Sequence, residues 1–364
     1  MNTFSGPRPE MTTAGASAIQ PQGAQIHKLL VWEEKIVREG EDAPPLMEIL
    51  NHKGLIAVFD GMGGSGSATY RTQNGDAHSG AYHAARIVRN VVQNQFKEHF
   101  GSSQKPSFDA SFRKALKEKL VTVLRQKLSQ LDTSPSRIKS SLSRKLPTTL
   151  TSIYFARESE KCSCEVIWAG DSRAYLLLPQ GLQQLSRDDV NESADVLADM
   201  NQDSPLTNCI SADSDFELRH ASFQFNQPAI LIVATDGCFG YMRTPAHFEQ
   251  MLLQCLQESG ADEEWGDKIR KFLKPLASDD YSMALICLGW DNFGTIKNAF
   301  NERLDQVNRI VAPIDQIISE ITELDGKMND LKKQKDDRLA KRNEIYTEFW
   351  QSYRTTYQKM IREG

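Results

Sequence analysis

Asp60 and Asp236 each end an apolar run and precede a glycine, in GLIAVF-DG and ILIVAT-DG, and Asp171 follows EVIWAG. Each acid stands where a buried strand would leave the core. Asp279 and Asp280 occupy the opposite end of such a run, immediately before YSMALICL. If these strands are neighbours, several carboxylates converge at one sheet edge. Their repulsion would raise their pKa values or oppose folding unless cations neutralise them. Carboxylate and carbonyl oxygens with retained waters suit Mg²⁺ or Mn²⁺, whereas zinc asks for His or Cys, and the seven histidines are scattered. A single Asp-Gly pair is an ordinary turn former. Acids repeated in register with strand ends form a pattern that turns alone do not produce.

The elements that must position them are legible as short β-rich runs. The clearest are Gly54–Phe59, Thr149–Phe155, Glu165–Ala169, Ala174–Leu178, Ile230–Thr235 and Ser282–Leu288, with helical stretches over Ser79–His99 and Ser107–Leu131. Strands clustered late, with helices inserted between them, predict a mainly antiparallel α+β layering. Residues 1–25 are poor in large apolar groups and read as a flexible arm, and 26–292 as one catalytic-sized unit. Residues 296–364 read as a coiled-coil or helical segment. Val307, Ile310, Ile314, Ile317, Ile321, Leu324, Met328 and Leu331 follow alternating three- and four-residue spacing. Lys335 and Arg338 then break that seam. A second stripe from Leu339 through Tyr346, Phe349, Trp350, Tyr353, Tyr357 and Ile361 leaves a rod and a helical hairpin both open.

Four motifs in order, FDGMGG at 59–64, AGDSR at 169–173, ATDG at 234–237 and DDYS at 279–282, resemble the metal-dependent serine/threonine protein phosphatases of type 2C, in a bacterial-like version. Thr148-Thr149-Leu150 and Arg38-Glu39-Gly40-Glu41-Asp42 resemble two further landmarks of that family. The resemblance covers about residues 30–290. It implies two antiparallel β-sheets sandwiched between helices, with two Mg²⁺ or Mn²⁺ ions at one end. It also implies roles: Asp60 bridging the two ions, the Gly61 carbonyl on one of them, and Asp236 and Asp279 on the other. Asp42, with Glu41 as the alternative, would supply the early acid, and Arg38 would bind the substrate phosphate. Two close cations lower the pKa of a shared water for in-line attack on phosphorus and stabilise charge on the phosphoryl oxygens, with no phosphoenzyme.

Departures from the family pattern matter. Met62 stands where many eukaryotic members carry a histidine proposed as general acid, so protonation of the leaving group would fall to a metal-bound water. Gly240 stands four residues after Asp236, where many relatives have another aspartate, which leaves only Asp171 and Asp236 for a third ion. Arg38 is one residue closer to Asp42 than is usual. The stretches 65–76 and 186–227 resemble a loop at the active-site mouth and the variable flap.

Competing chemistries fit less well. Gly61, Gly63 and Gly66 satisfy G-x-G-x-x-G, but a helix follows where a dinucleotide fold needs a second parallel strand. Cys238 and Arg243 are one residue short of a cysteine-phosphatase loop, and Cys162 and Cys164 read as reduced thiols. The charge of 43 basic against 48 acidic residues, net −5, offers no generic attraction to nucleic acid. No apolar run is long enough to span a membrane, six scattered cysteines do not build a disulfide scaffold, and the N-terminus lacks a secretory pattern. The expectation is a cytoplasmic hydrolase acting on a phosphoprotein, opposing a cognate kinase or acting on that kinase's target. The coiled coil would serve self-association, as a homo-oligomer, or targeting. The rival reading is a catalytically silent phosphatase-fold scaffold that acts through the coiled coil.

Overall fold

The computed structural model describes residues 26–71, 77–102, 109–133, 144–158, 160–191 and 206–362. The arm expected over 1–25 lies outside these residues, as do parts of the two loops expected near the site. In chain order the elements are β1 (His27–Glu33), β2 (Ala43–Leu50), β3 (Lys53–Phe59), α1 (Gly63–Gly66), β4 (Thr69–Arg71), β5 (Ala77–Ser79), α2 (Gly80–Ser102), α3 (Ala110–Gln130) and β6 (Asp132–Thr133). There follow β7 (Leu150–Glu158), β8 (Lys161–Ala169), β9 (Arg173–Leu178), β10 (Gly181–Gln184), β11 (Arg219–Asn226) and β12 (Ala229–Ala234). The chain continues through α4 (Asp236–Phe239), α5 (Pro245–Gln257), α6 (Asp262–Leu273), β13 (Tyr281–Leu288) and α7 (Phe293–Arg362).

Two five-stranded antiparallel sheets, ordered β1-β13-β12-β9-β10 and β11-β8-β7-β3-β2, face each other. A small sheet, β5-β4-β6, stands apart from them. Successive residues of β13 explain the layering. Ala284, Ile286 and Leu288 join Ile56, Val58, Ile153 and Val166 of the opposite sheet in a core between the sheets. Met283, Leu285 and Cys287 face outward into a second core with Phe248 and Leu252 of α5, Trp265 and Ile269 of α6, and Ile296 and Phe300 of α7. The outer face of the other sheet packs on α2 and α3 through Val88, Val92, Phe96, Leu116 and Leu120. Because both faces of the central strands are covered, they read as unbroken apolar runs rather than alternating ones. This is the expected architecture of two antiparallel sheets between helices.

Antiparallel register then decides where the strand ends meet. Val58 lies opposite Thr151 and Thr151 opposite Trp168 in one sheet, while Ala234 lies opposite both Met283 and Arg173 in the other. The outgoing ends of β3, β8 and β12 and the incoming ends of β7, β9 and β13 therefore share one edge of the sandwich.

The C-terminal segment is one continuous helix of 70 residues, about 105 Å long at the standard rise. Pro313 lies inside it. Its first turns are part of the core: Phe293, Ile296, Phe300, Val307 and Val311 are buried, and Arg303 makes a bidentate pair with buried Glu249 at 2.7 and 2.8 Å. Beyond Ile318 the helix stands clear, with Ile321, Leu324, Met328 and Leu331 exposed. Among the described residues, no helix is long and apolar enough to cross a membrane.

Candidate metal centre

Threonines and serines fix the backbone at the shared edge. The carbonyl of Asp60 accepts the Thr148 hydroxyl at 2.6 Å and the Thr149 N–H at 2.8 Å, and the Asp60 N–H donates to Thr149 Oγ1 at 3.3 Å. Thr149 Oγ1 also lies 2.8 Å from Ser172 Oγ, while the Thr151 hydroxyl donates to the Ser172 carbonyl at 2.6 Å. The loops carrying Asp60 and Asp171 are thus tied together through Thr149. Gly170 turns the latter loop at φ +110°, with Thr149 packed where a side chain would be. In the other sheet, Thr235 Oγ1 receives the Ser282 N–H at 2.9 Å and donates to Asp42 Oδ2 at 3.0 Å. That hydroxyl couples the turns before Asp236 and after Asp280 to the early acid.

The segment 34–42 is held from outside. Asp280, buried at the start of β13, accepts the backbone N–H of Lys35 at 2.7 Å, of Glu41, and of Asp42 at 3.3 Å. Arg86 of α2 donates to the Gly40 and Glu41 carbonyls, each at 3.3 Å, and its guanidinium lies over the Tyr82 ring. The Glu41 carboxylate accepts the Ser79 hydroxyl and lies against Gly63, where no Cβ would fit.

The electrostatics follow from crowding. Burial, then Asp280 and Asp236, push the Asp42 carboxyl well above the usual range. Burial, then Asp42, Asp236 and Asp171, do the same to Asp60, which also shares a hydrogen bond with Asp236. Burial and Asp236 raise Asp171 to about 7, and burial raises Glu41. Asp171 Oδ1 is buried with no hydrogen-bond partner. Orphaned oxygen and mutual repulsion are what a cation relieves, so the donor set fits hard divalent ions. As the side chains stand, no three His, Cys, Asp or Glu among the described residues lie close enough to hold an ion. To hold an ion, these carboxylates would have to close inward.

Of the acids singled out from sequence, Asp42, Asp60, Asp171 and Asp236 interact directly with one another, and Gly61 is bridged to Thr148 beside them. Asp279 is exposed at the same edge and adds to the repulsion felt by Glu41 and Asp42. Arg38 sits in a left-handed turn at φ +71°, its N–H on Glu34 and its side chain exposed. Sequence reasoning missed the supports: Asp280 as a loop clamp, Arg86, and Asp189. That last residue is buried and accepts the Gly170 N–H at 3.1 Å, Asn208 Nδ2 at 2.6 Å and Arg219. The adjacent Asp188 holds Arg173 in a fork at 3.0 and 2.6 Å. Paired acids at 188–189 and 279–280 were the available signal.

A sequence model of the protein phosphatase 2C family matches residues 41–274. No curated protein sequence matches the chain. Among solved structures, a bacterial serine phosphatase is similar at 15% identity and a TM-score of 0.51, covering 74% of this chain and 100% of its own. The serine/threonine phosphatase Stp1 from Staphylococcus aureus is similar at 14% identity and a TM-score of 0.51, covering 74% of this chain and 97% of its own.

Proposed function

The chain belongs to the protein phosphatase 2C family, and from that premise we propose that it removes phosphate from phosphoserine and phosphothreonine in proteins, using two Mg²⁺ or Mn²⁺ ions at the shared sheet edge. Phosphatases of this family use Mg²⁺ or Mn²⁺ and act on serine and threonine phosphates. The observation that carries the reading is the cluster of Asp42, Asp60, Asp171 and Asp236, in which the carboxyls of Asp42, Asp60 and Asp171 are each raised by burial and by Asp236 among their neighbours. A silent scaffold would have no use for so costly an arrangement.

Asp42, Asp60, the Gly61 carbonyl, Asp236 and Asp279 would hold the two ions. Asp171 would reach a third ion, for which Gly240 offers no donor. When bound, such ions lower the pKa of water between them and withdraw charge from phosphoryl oxygens. The chain's own contribution is positioning. Thr148 and Thr149 fix the Asp60 backbone, Thr235 aims Asp42, and Asp280 with Arg86 presents the loop that carries Arg38 to an incoming phosphate. Arg38 would then fork onto phosphoryl oxygens.

The substrate is a phosphoprotein, either a cognate kinase or that kinase's target, met in the cytoplasm. The free, buried cysteines suit a reducing compartment. The exposed part of α7 serves self-association or targeting. Aryl phosphate and phosphopeptide hydrolysis with Mn²⁺, compared with Asp60→Asn at equal folded content, tests the reading. Metal-independent turnover would overturn the two-ion reading, and no turnover with the fold intact would return it to the scaffold alternative.

A further inference from the structure

Where α7 leaves the catalytic unit, an aliphatic seam begins that nothing among the described residues covers. Val311 is still buried, whereas Ile317, Ile321, Leu324, Met328 and Leu331 are all about half exposed or more, from 47% to 65%. The seam ends at Leu331, where the polar run LKKQKDDR starts. We propose that a second copy of this chain covers the seam, with its helix running antiparallel.

Charge decides the occupant and its direction. In a parallel, in-register pair, the residues flanking the seam would set Glu320 against the partner's Asp325 and Lys327 against the partner's Lys332. Lys335 and Arg338 would each meet their own copies inside the seam. Every one of these is a like-charge contact. Reversing one helix removes them all. Ile314 then faces the partner's Leu331, Ile317 the partner's Met328 and Ile321 the partner's Leu324, and two-fold symmetry repeats each layer. Glu320 falls beside the partner's Lys327 on both sides, and Ile318 lies beside the partner's Asp325 without conflict.

The register is specified as well as the direction. Sliding one step one way sets Glu320 on the partner's Glu320. Sliding one step the other way sets Lys327 on the partner's Lys327 and Asp325 on the partner's Asp325, and the same step draws Lys335 onto the partner's Ile317 and Arg338 onto the partner's Ile314. In the favoured register the seam of one copy ends where the partner's helix emerges from its catalytic unit, so aliphatic residues cover aliphatic residues over the full run and the helices diverge beyond Leu331, where the partner's Val307 is already covered by its own core. Lys327 now pairs with Glu323 at 2.6 Å on an exposed surface, a contact weak enough to exchange.

This inference rests on reading the extension as an association element, and the test separates the two. Full-length protein in light scattering and sedimentation gives a dimer. Glu320→Lys raises the dissociation constant about ten-fold or more, and Glu320→Lys with Lys327→Glu restores it. A parallel pair gives the opposite sign, because Glu320→Lys would relieve its clash with Asp325. Copies carrying Ile314→Cys mixed with copies carrying Leu331→Cys form a disulfide-linked dimer on a non-reducing gel. Leu331→Cys alone does not, since the two positions stand about 25 Å apart along the antiparallel pair. The native cysteines are buried and do not compete. A monomer at every concentration overturns both the inference and the association reading. A dimer in which Leu331→Cys links to itself, or which Glu320→Lys strengthens, overturns the antiparallel order alone.

Discussion

Asp280 receives the backbone N–H of Asp42 at 3.3 Å across 238 positions of sequence. The bond belongs to a clamp that also takes the amides of Lys35 and Glu41, so one carboxylate sets the path of the segment bearing Arg38 and Asp42. Asp280→Ala should lower Mn²⁺ affinity by about ten- to a hundred-fold, as loss of a group that orients ligands does. Asp280→Asn, which keeps one acceptor oxygen, should fall between. Calorimetric titration with Mn²⁺ measures both, and an alanine variant that binds as tightly as the parent would show that the loop holds its own shape.

Asp60→Asn separates stability from catalysis. Removing one charge from the cluster relieves repulsion on Asp42, Asp171 and Asp236, so the metal-free protein should gain on the order of 1–2 kcal/mol against urea. The same variant should lose about a thousand-fold or more in phosphate ester hydrolysis. A variant that is both less stable without metal and still active would place Asp60 outside the centre.

Much of this was legible in the chain, and the division has a physical cause. The strands read correctly, among them Gly54–Phe59, Ile230–Thr235 and Ser282–Leu288, are interior strands covered on both faces, and their unbroken apolar runs announce them. Within the two large sheets, the strands not read, β1, β2, β10 and β11, are the four sheet edges. There an exposed side interrupts the pattern, as in RHASFQFN, or prolines stand where a ladder bond is dispensable, as at Pro44 and Pro45. Acids at strand ends were visible because their neighbours are apolar. Nothing in the pair Asp279-Asp280 told which one turns inward to the loop.

The pH dependence of the metal-free protein follows from Asp171. Its carboxyl is raised by burial and by Asp236 to about 7, from an ordinary 3.8. Between these values the folded state holds a proton that the unfolded chain releases, so this group's stabilising contribution is present at low pH and is lost as pH rises to 7. The loss is on the order of 4 kcal/mol. In EDTA, urea stability should therefore fall less steeply over pH 4–7 for Asp171→Asn than for the parent. Identical slopes would remove Asp171 from the buried cluster.

Gly63 leaves room for the Glu41 carboxylate, and a Cβ there would overlap it. Gly63→Ala should push Glu41 off the Ser79 hydroxyl and cost about 1 kcal/mol, the worth of that hydrogen bond. Glu41→Ala in the same background removes the clash and should recover part of the loss. A double variant no better than the single one would locate the strain elsewhere.

Where the catalytic unit ends is decided by packing rather than by the change in sequence texture near Asn292. Removing everything after Asn292 deletes Phe293, Ile296, Phe300, Val307 and Val311, all buried. At about 1.5–3 kcal/mol each their burial contributes roughly 10 kcal/mol, comparable to the whole stability of a domain. It also deletes Arg303, leaving Glu249 buried without its bidentate partner, which costs about 3–5 kcal/mol more. Truncation after Asn292 should thus give aggregated or unfolded protein. Truncation after Ile318 keeps those contacts and the Asp315 pairs to Arg243 and His247, so its melting temperature and Mn²⁺-dependent turnover of an aryl phosphate should match the full chain. Scanning calorimetry with the hydrolysis assay distinguishes the cases. A shorter protein ending at Asn292 that melts like the full chain would mean that α7 rests on the core without supporting it.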